Sequence, residues 1–163
     1  MKKILIVASL IAALSGCATT GGSGETEMGF QRPNGNLTLT VDGNGNFVSI
    51  KTIATAEVLS DTAAGKEAAV AVAIARGKRN LSEFMSDGIK SDTSIEQIAN
   101  ATHEDNKYAQ NVSEKISTNS QALLRGVYLS KQSLEGSTVT VELTVTVQSV
   151  KGADSFRRKM AGK

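Results

Sequence analysis

Apolar and polar positions alternate at Leu37, Leu39 and Val41 against Thr38 and Thr40, which predicts a half-buried strand. Asp42-Gly43-Asn44-Gly45-Asn46 follows, a run of residues that tolerate positive φ, and predicts a turn. Phe47 to Val58 reads as a second strand, and its phase slips between Ile50 and Ile53, as a bulge or break would require. The period then changes. Val70, Ile74, Gly77, Leu81 and Phe84 recur at steps of three and four, the spacing of one helical face, with Met85 and Gly88 flanking. Ala63, Ala64, Ala68, Ala69, Ala71, Ala73 and Ala75 thicken this stripe and permit close packing on a sheet. Ser60 or Asp61 is the expected cap, Asp87-Gly88 the expected stop, and Arg76, Lys78, Arg79 and Glu83 fall on the wet side.

A second helix is expected near Ser94, where Ser94-x-x-Gln97 has the form of a capping box. Ile95, Ile98, Thr102, Ala109, Val112 and Ile116 thread a thin helical face, interrupted by Glu104, Asp105 and Asn106, so the helix is expected mainly over 105–120. Ala122 to Leu134 is a strand candidate. From Thr138 to Val150 the period is two: Val139, Val141, Leu143, Val145 and Val147 alternate with Thr140, Glu142, Thr144, Thr146 and Gln148. Glu135-Gly136-Ser137 joins these two strands as a hairpin. The order is β-β-α-(α)-β-β. It predicts an α+β domain, an antiparallel sheet of about four strands with one or two helices packed on one face.

Ahead of this body the pattern is different again. Lys2 and Lys3 precede an almost unbroken apolar run from Ile4 to Ala13, short for a membrane span and the length of a secretory leader. Leu14-Ser15-Gly16-Cys17 follows, with the chain's one cysteine last. These four residues resemble the lipobox of bacterial lipoproteins at every position. The resemblance implies cleavage between Gly16 and Cys17, diacylglycerol on the Cys17 sulfur and acylation of the new amino terminus. Membrane lipid is then the first partner. Ala18, where some lipoproteins carry Asp, implies onward transport to the outer membrane of a diderm cell, facing the periplasm or the cell surface. The expected organisation is a signal peptide at 1–16, a lipidated Cys17 with a flexible Gly- and Ser-rich tether over 17–35, a single domain at 36–150 and a basic tail at 151–163.

Removing residues 1–16 from the 163 leaves 147, enough for one domain with its own core. The chain has 18 basic and 16 acidic residues; Lys2 and Lys3 leave with the leader, so the remainder is balanced. No basic surplus points to nucleic acid. The tail is the local exception, with Lys151, Arg157, Arg158, Lys159 and Lys163 against Asp154 alone. It reads as a solvated end or as a contact for an anionic surface, whether lipid headgroups or cell wall. With Cys17 consumed, no thiol is left for a disulfide or a cysteine metal site. The absence of Trp makes the core aliphatic.

Reactive constellations are missing from the sequence. His103 is the sole histidine and stands in the polar stretch Thr102-His103-Glu104-Asp105-Asn106, which reads as surface, without metal-ligand spacing. No strained elbow marks a nucleophilic serine. Gly21-Gly22-Ser23-Gly24 and Gly43-Asn44-Gly45 open no phosphate-cradling helix, and read as tether and turn. Glu25/Glu27 and Glu104/Asp105 are paired carboxylates without an apolar pocket to shift them. The chain is therefore expected to be no enzyme and to need no cofactor.

Ala75-Arg76-Gly77-x-x-Asn80-Leu81, then Leu124-Arg125-Gly126-Val127, then a Val/Thr-rich closing hairpin resembles small outer-membrane lipoproteins of the flagellar FlgP type and the amino-terminal domain of the flagellar protein FlgT. The likeness spans about residues 47–150. The middle segment 92–120 is more polar than that pattern, and its aromatic positions are mostly absent. It implies a non-enzymatic structural or assembly module that associates with its own copies or with an envelope machine. The alternative from a different class is a periplasmic binding module for a small ligand or peptidoglycan. The alternating strand at 138–150 also allows an oligomeric β-hairpin pore, against which stand a short turn and a helix ready to cover the apolar side.

Overall fold

A computed structural model describes residues 20–21, 24–32 and 35–161. The strands are β1 (Thr20–Gly21), β2 (Glu25–Arg32), β3 (Gly35–Val41), β4 (Phe47–Glu57), β5 (Tyr128–Glu135) and β6 (Thr138–Thr146). The helices are α1 (Ala63–Ser86), α2 (Asp92–Thr102), α3 (Asn106–Thr118), α4 (Ser120–Arg125) and α5 (Val147–Met160), with a 3₁₀ turn at Gly88–Lys90. All strands join one antiparallel sheet in the order β1-β2-β3-β4-β6-β5. The α+β class with helices packed on a sheet is as the periodicity requires.

The alternation in β3, β4 and β6 sends Leu37, Leu39, Val41, Ile50, Ala54, Ala56, Val139, Val141, Leu143 and Val145 to one face, where all are buried. α1 lies across β4 and β6 on that face and buries Ala69, Ala73, Gly77, Leu81, Phe84 and Met85. Gly77 is there because the crossing is tight: a Cβ at this position would stand 2.8 Å from Leu143 Cδ1. Ile89, Ile98, Val112 and Ile116 from the following helices close the core. Each large apolar side chain removed from water here stabilises the fold by roughly 1.5–3 kcal/mol. Phe30 and Phe84 meet at 4.7 Å between ring centres and 50° between planes. The guanidinium of Arg32 stands 5.0 Å from the centre of the Phe84 ring.

The structure corrects several expectations. Glu25–Arg32, assigned to the tether, is a strand in register with β3 from Thr26↔Val41 to Arg32↔Gly35. Met28 and Phe30 alternate into the core, and that burial outweighs the glycine-rich approach to the segment. The bulge lies at Val48, between the pairs Thr40↔Ser49 and Val41↔Phe47, while Ile53 keeps the phase of β4 and points to the outer face. Thr62, not Ser60 or Asp61, caps α1 by accepting from the Gly65 N–H at 3.1 Å. Ser91, not Ser94, caps α2; Ser94 is buried and its hydroxyl donates to the Gly88 carbonyl at 2.8 Å. His103 ends α2 in the left-handed region at φ 57°, and Asp105 restarts the chain as the cap of α3. Ala122–Leu134 divides: its first residues finish α4, and only Tyr128–Glu135 is strand.

The carboxyl end departs most. β6 stops at Thr146, and 147–160 is helix where strand and then loose tail were expected. Thr146 and Ser149 form a reciprocal capping box, with Ser149 N–H donating to Thr146 Oγ1 at 3.1 Å and Thr146 N–H to Ser149 Oγ at 2.9 Å. These two bonds satisfy donors that a strand would have left for a neighbour.

Candidate functional site

The register places one set of elements at a single end of the sheet. β2 starts there at Glu25, one residue ahead of the Thr26↔Val41 pair, and β4 starts there at Phe47. β6 ends there at Thr146, two pairs beyond the Tyr128↔Thr144 start of β5. The turn between β3 and β4 belongs to the same end, where Gly24 O stands 3.5 Å from the ideal Cβ position of Gly43. Asp42 shapes this turn. Its carboxylate accepts from the Asn44 N–H at 2.9 Å, the Asn46 N–H at 2.8 Å and the Asn46 side-chain amide at 3.0 Å. These bonds, the Asn46 backbone bond foremost, hold its pKa below the ordinary 3.8.

Between this turn, the end of α3, α4 and the start of α5 lies an apolar cleft of about 340 Å³. Phe47, Ile116, Leu123, Val147 and Val150 line it, with Lys115 and Lys151 as its charged members. α5 closes the cleft by seating Val150 on Gly126, where a Cβ would stand 2.7 Å from Val150 Cγ2. Arg125 and Asp154 add an ion pair at 3.6 Å. Apart from these contacts α5 is peripheral, and none of its residues is buried.

No described helix packs on the opposite face of the sheet. Cross-strand pairs put Thr38, Lys51, Thr144 and Tyr128 in one row, Ile53, Glu142 and Lys131 in a second, and Thr55, Thr140 and Ser133 in a third. Hydroxyls pair within this face, as in Ser49 to Thr40 at 3.1 Å and Thr144 to Ser130 at 2.8 Å. β5 is the outer strand on the β6 side, with Tyr128, Leu129 and Leu134 exposed. A register shift between Leu129 and Lys131 bulges it at Ser130.

Leu14, Ser15, Gly16 and Cys17 lie outside the described residues, as does Lys163. His103 is exposed, and Glu104 and Asp105 are exposed at the start of α3. Burial, then the charges of Glu104 and Asp42, push the nearby Tyr108 phenol above its ordinary value. Among the described residues no three His, Cys, Asp or Glu side chains gather to hold a metal. No described helix is long and apolar enough to cross a membrane. The cleft and α5 went unforeseen; the spacing Thr146-x-x-Ser149 was the signal that could have announced the helix.

Of the flagellar-type pattern, Ala75, Arg76, Gly77, Asn80 and Leu81 lie on α1. Leu124-Arg125-Gly126-Val127 is the end of α4 and its exit turn, not a strand start. No curated protein and no solved structure matches the chain, so that likeness gains no support. Residues 1–18 match the prokaryotic membrane lipoprotein lipid attachment site. The chain is thus a lipid-anchored prokaryotic lipoprotein, attached through its lipobox cysteine.

Proposed function

We propose that this lipoprotein is a non-enzymatic assembly module of the cell envelope, held at the outer membrane and associating with further copies of itself. The observation that carries the reading is β5: an edge strand whose outer N–H and C=O groups pair with no other described strand, with three exposed apolar side chains, Tyr128, Leu129 and Leu134. Such an edge is a template for another strand. The Ser130 bulge and Lys131 restrict pairing to a partner of matching shape. Two copies meeting antiparallel across a two-fold axis would place residues near the middle of β5 opposite themselves.

The chain's only cysteine is the lipidated one, so a new thiol reports without background. In vesicles carrying the mature lipoprotein, Gln132→Cys should give a disulfide-linked dimer on mild oxidation. Glu96→Cys, exposed on α2, should not. Equal cross-linking by both, or none at Gln132, would sink the reading. A second reading, a binding module, draws on the cleft: its apolar lining and two lysines suit a ligand with an apolar body and an anionic group. A protein that stays monomeric on vesicles yet takes up such an amphiphile, and loses it on Lys115→Glu, would favour that reading.

A further inference from the structure

We infer that α5 is a second membrane-contact site, docking on anionic lipid headgroups and fixing how the body stands on the bilayer. The inference rests on lipid attachment at Cys17 and is independent of the assembly reading. Position comes first. Cys17 is three residue steps from Thr20, a reach of at most about 11 Å, and Thr20 pairs with Thr26 near the start of β2. Thr146, where α5 begins, is three strand spacings from β2 at the same end of the sheet, about 14 Å. The anchor therefore holds the start of α5 within reach of the lipid surface.

Chemistry comes second. Phe156 and Met160 are one turn apart on one helical face and are 66% and 74% exposed. Arg157, Arg158 and Lys159 flank them, and Lys151 is exposed one turn and more before. The helix's one acid, Asp154, is engaged by Arg125. Of the other acids at this end, Asp42, Glu104 and Asp105 gather around Tyr108 near the start of α3, and Glu25 and Glu27 lie on β2, three strand spacings from β6, whereas Lys115 and Lys151 meet at the cleft beside α5. Exposed aromatic and thioether side chains among cations are what an interfacial helix offers a bilayer. A polyanionic wall polymer would engage the charges but leave Phe156 and Met160 in water.

The protein contains no Trp, which makes a single reporter clean. The mature acylated Phe156→Trp lipoprotein is placed in phosphatidylglycerol vesicles and in phosphatidylcholine vesicles. Its emission should shift to the blue and be quenched by brominated acyl chains in the first. Both effects should weaken in the second and fade at about 1 M salt, where screening acts over roughly 3 Å. Leu59→Trp, 93% exposed just past the far end of β4, should show neither effect. Replacing Arg157, Arg158 and Lys159 by Gln in the Phe156→Trp background should abolish the shift while the far-ultraviolet circular dichroism stays unchanged. Equal quenching of both reporters would overturn the inference, as would an indole at 156 that answers only to added peptidoglycan fragments.

Discussion

Asp42 shows what one side chain contributes. Its three accepted hydrogen bonds organise the turn beside the cleft, and they favour the ionised carboxylate, so its folded pKa lies below its unfolded one. The contribution is therefore complete above the unfolded value of 3.8 and drains away as pH falls through the lower folded value. Urea midpoints measured between about pH 2 and 5 should fall on acidification, and fall less steeply in Asp42→Asn. A proton titration of the Asp42 carboxyl should also centre below 3.8. At this scale the sequence was readable where the physics is local: Asp-Gly-Asn-Gly-Asn announces its own turn, and His103 its exposed place in a polar stretch. It was silent on Asn80, buried on α1 with its amide nitrogen unpartnered among the described residues, because its surroundings are contributed by distant elements.

Elements were legible in proportion to the length of one unmixed period. β3, β4, β6 and α1 carry long runs of period two or 3.6. β2 has Thr26, Met28, Phe30 and Arg32 on its inner side, only two of them apolar, next to glycines that read as linker. In α4, Ala122-Leu123-Leu124 is an apolar run too short to separate helix from strand. α5 was masked because Val147 continues the alternation of β6 before the capping box turns the chain. Thr146→Val tests that switch: it keeps a β-branched residue for β6 and deletes the hydroxyl that accepts from Ser149. A lost cap costs about 1 kcal/mol. Hydrogen exchange of the α5 amides should accordingly speed up roughly five-fold, with the β6 amides unchanged. Uniform acceleration of both would mean that the box serves the sheet rather than the helix.

For the whole molecule, the architecture separates three surfaces. Helices seal one face of the sheet, threonines line the other, and β5 leaves a side edge open. Thr20, where the described chain opens, pairs with Thr26 near the start of β2, on the opposite side of the sheet from β5, so attachment leaves that edge open. Membrane placement was legible in seventeen residues because processing reads a linear signal. The cleft was not, since α3, α4, α5 and the β3–β4 turn build it jointly. Confinement to a bilayer alters what a modest edge contact can achieve. Cross-linking through Gln132→Cys should drop by about a hundredfold when the lipoprotein is moved from vesicles into detergent at equal bulk concentration. An unchanged yield would mean that β5 pairs strongly enough without a surface. Open edges on bodies that drift side by side find one another by searching a plane rather than a volume. Copy number per area of membrane then decides whether neighbours join, and a cell could tune that density through expression alone.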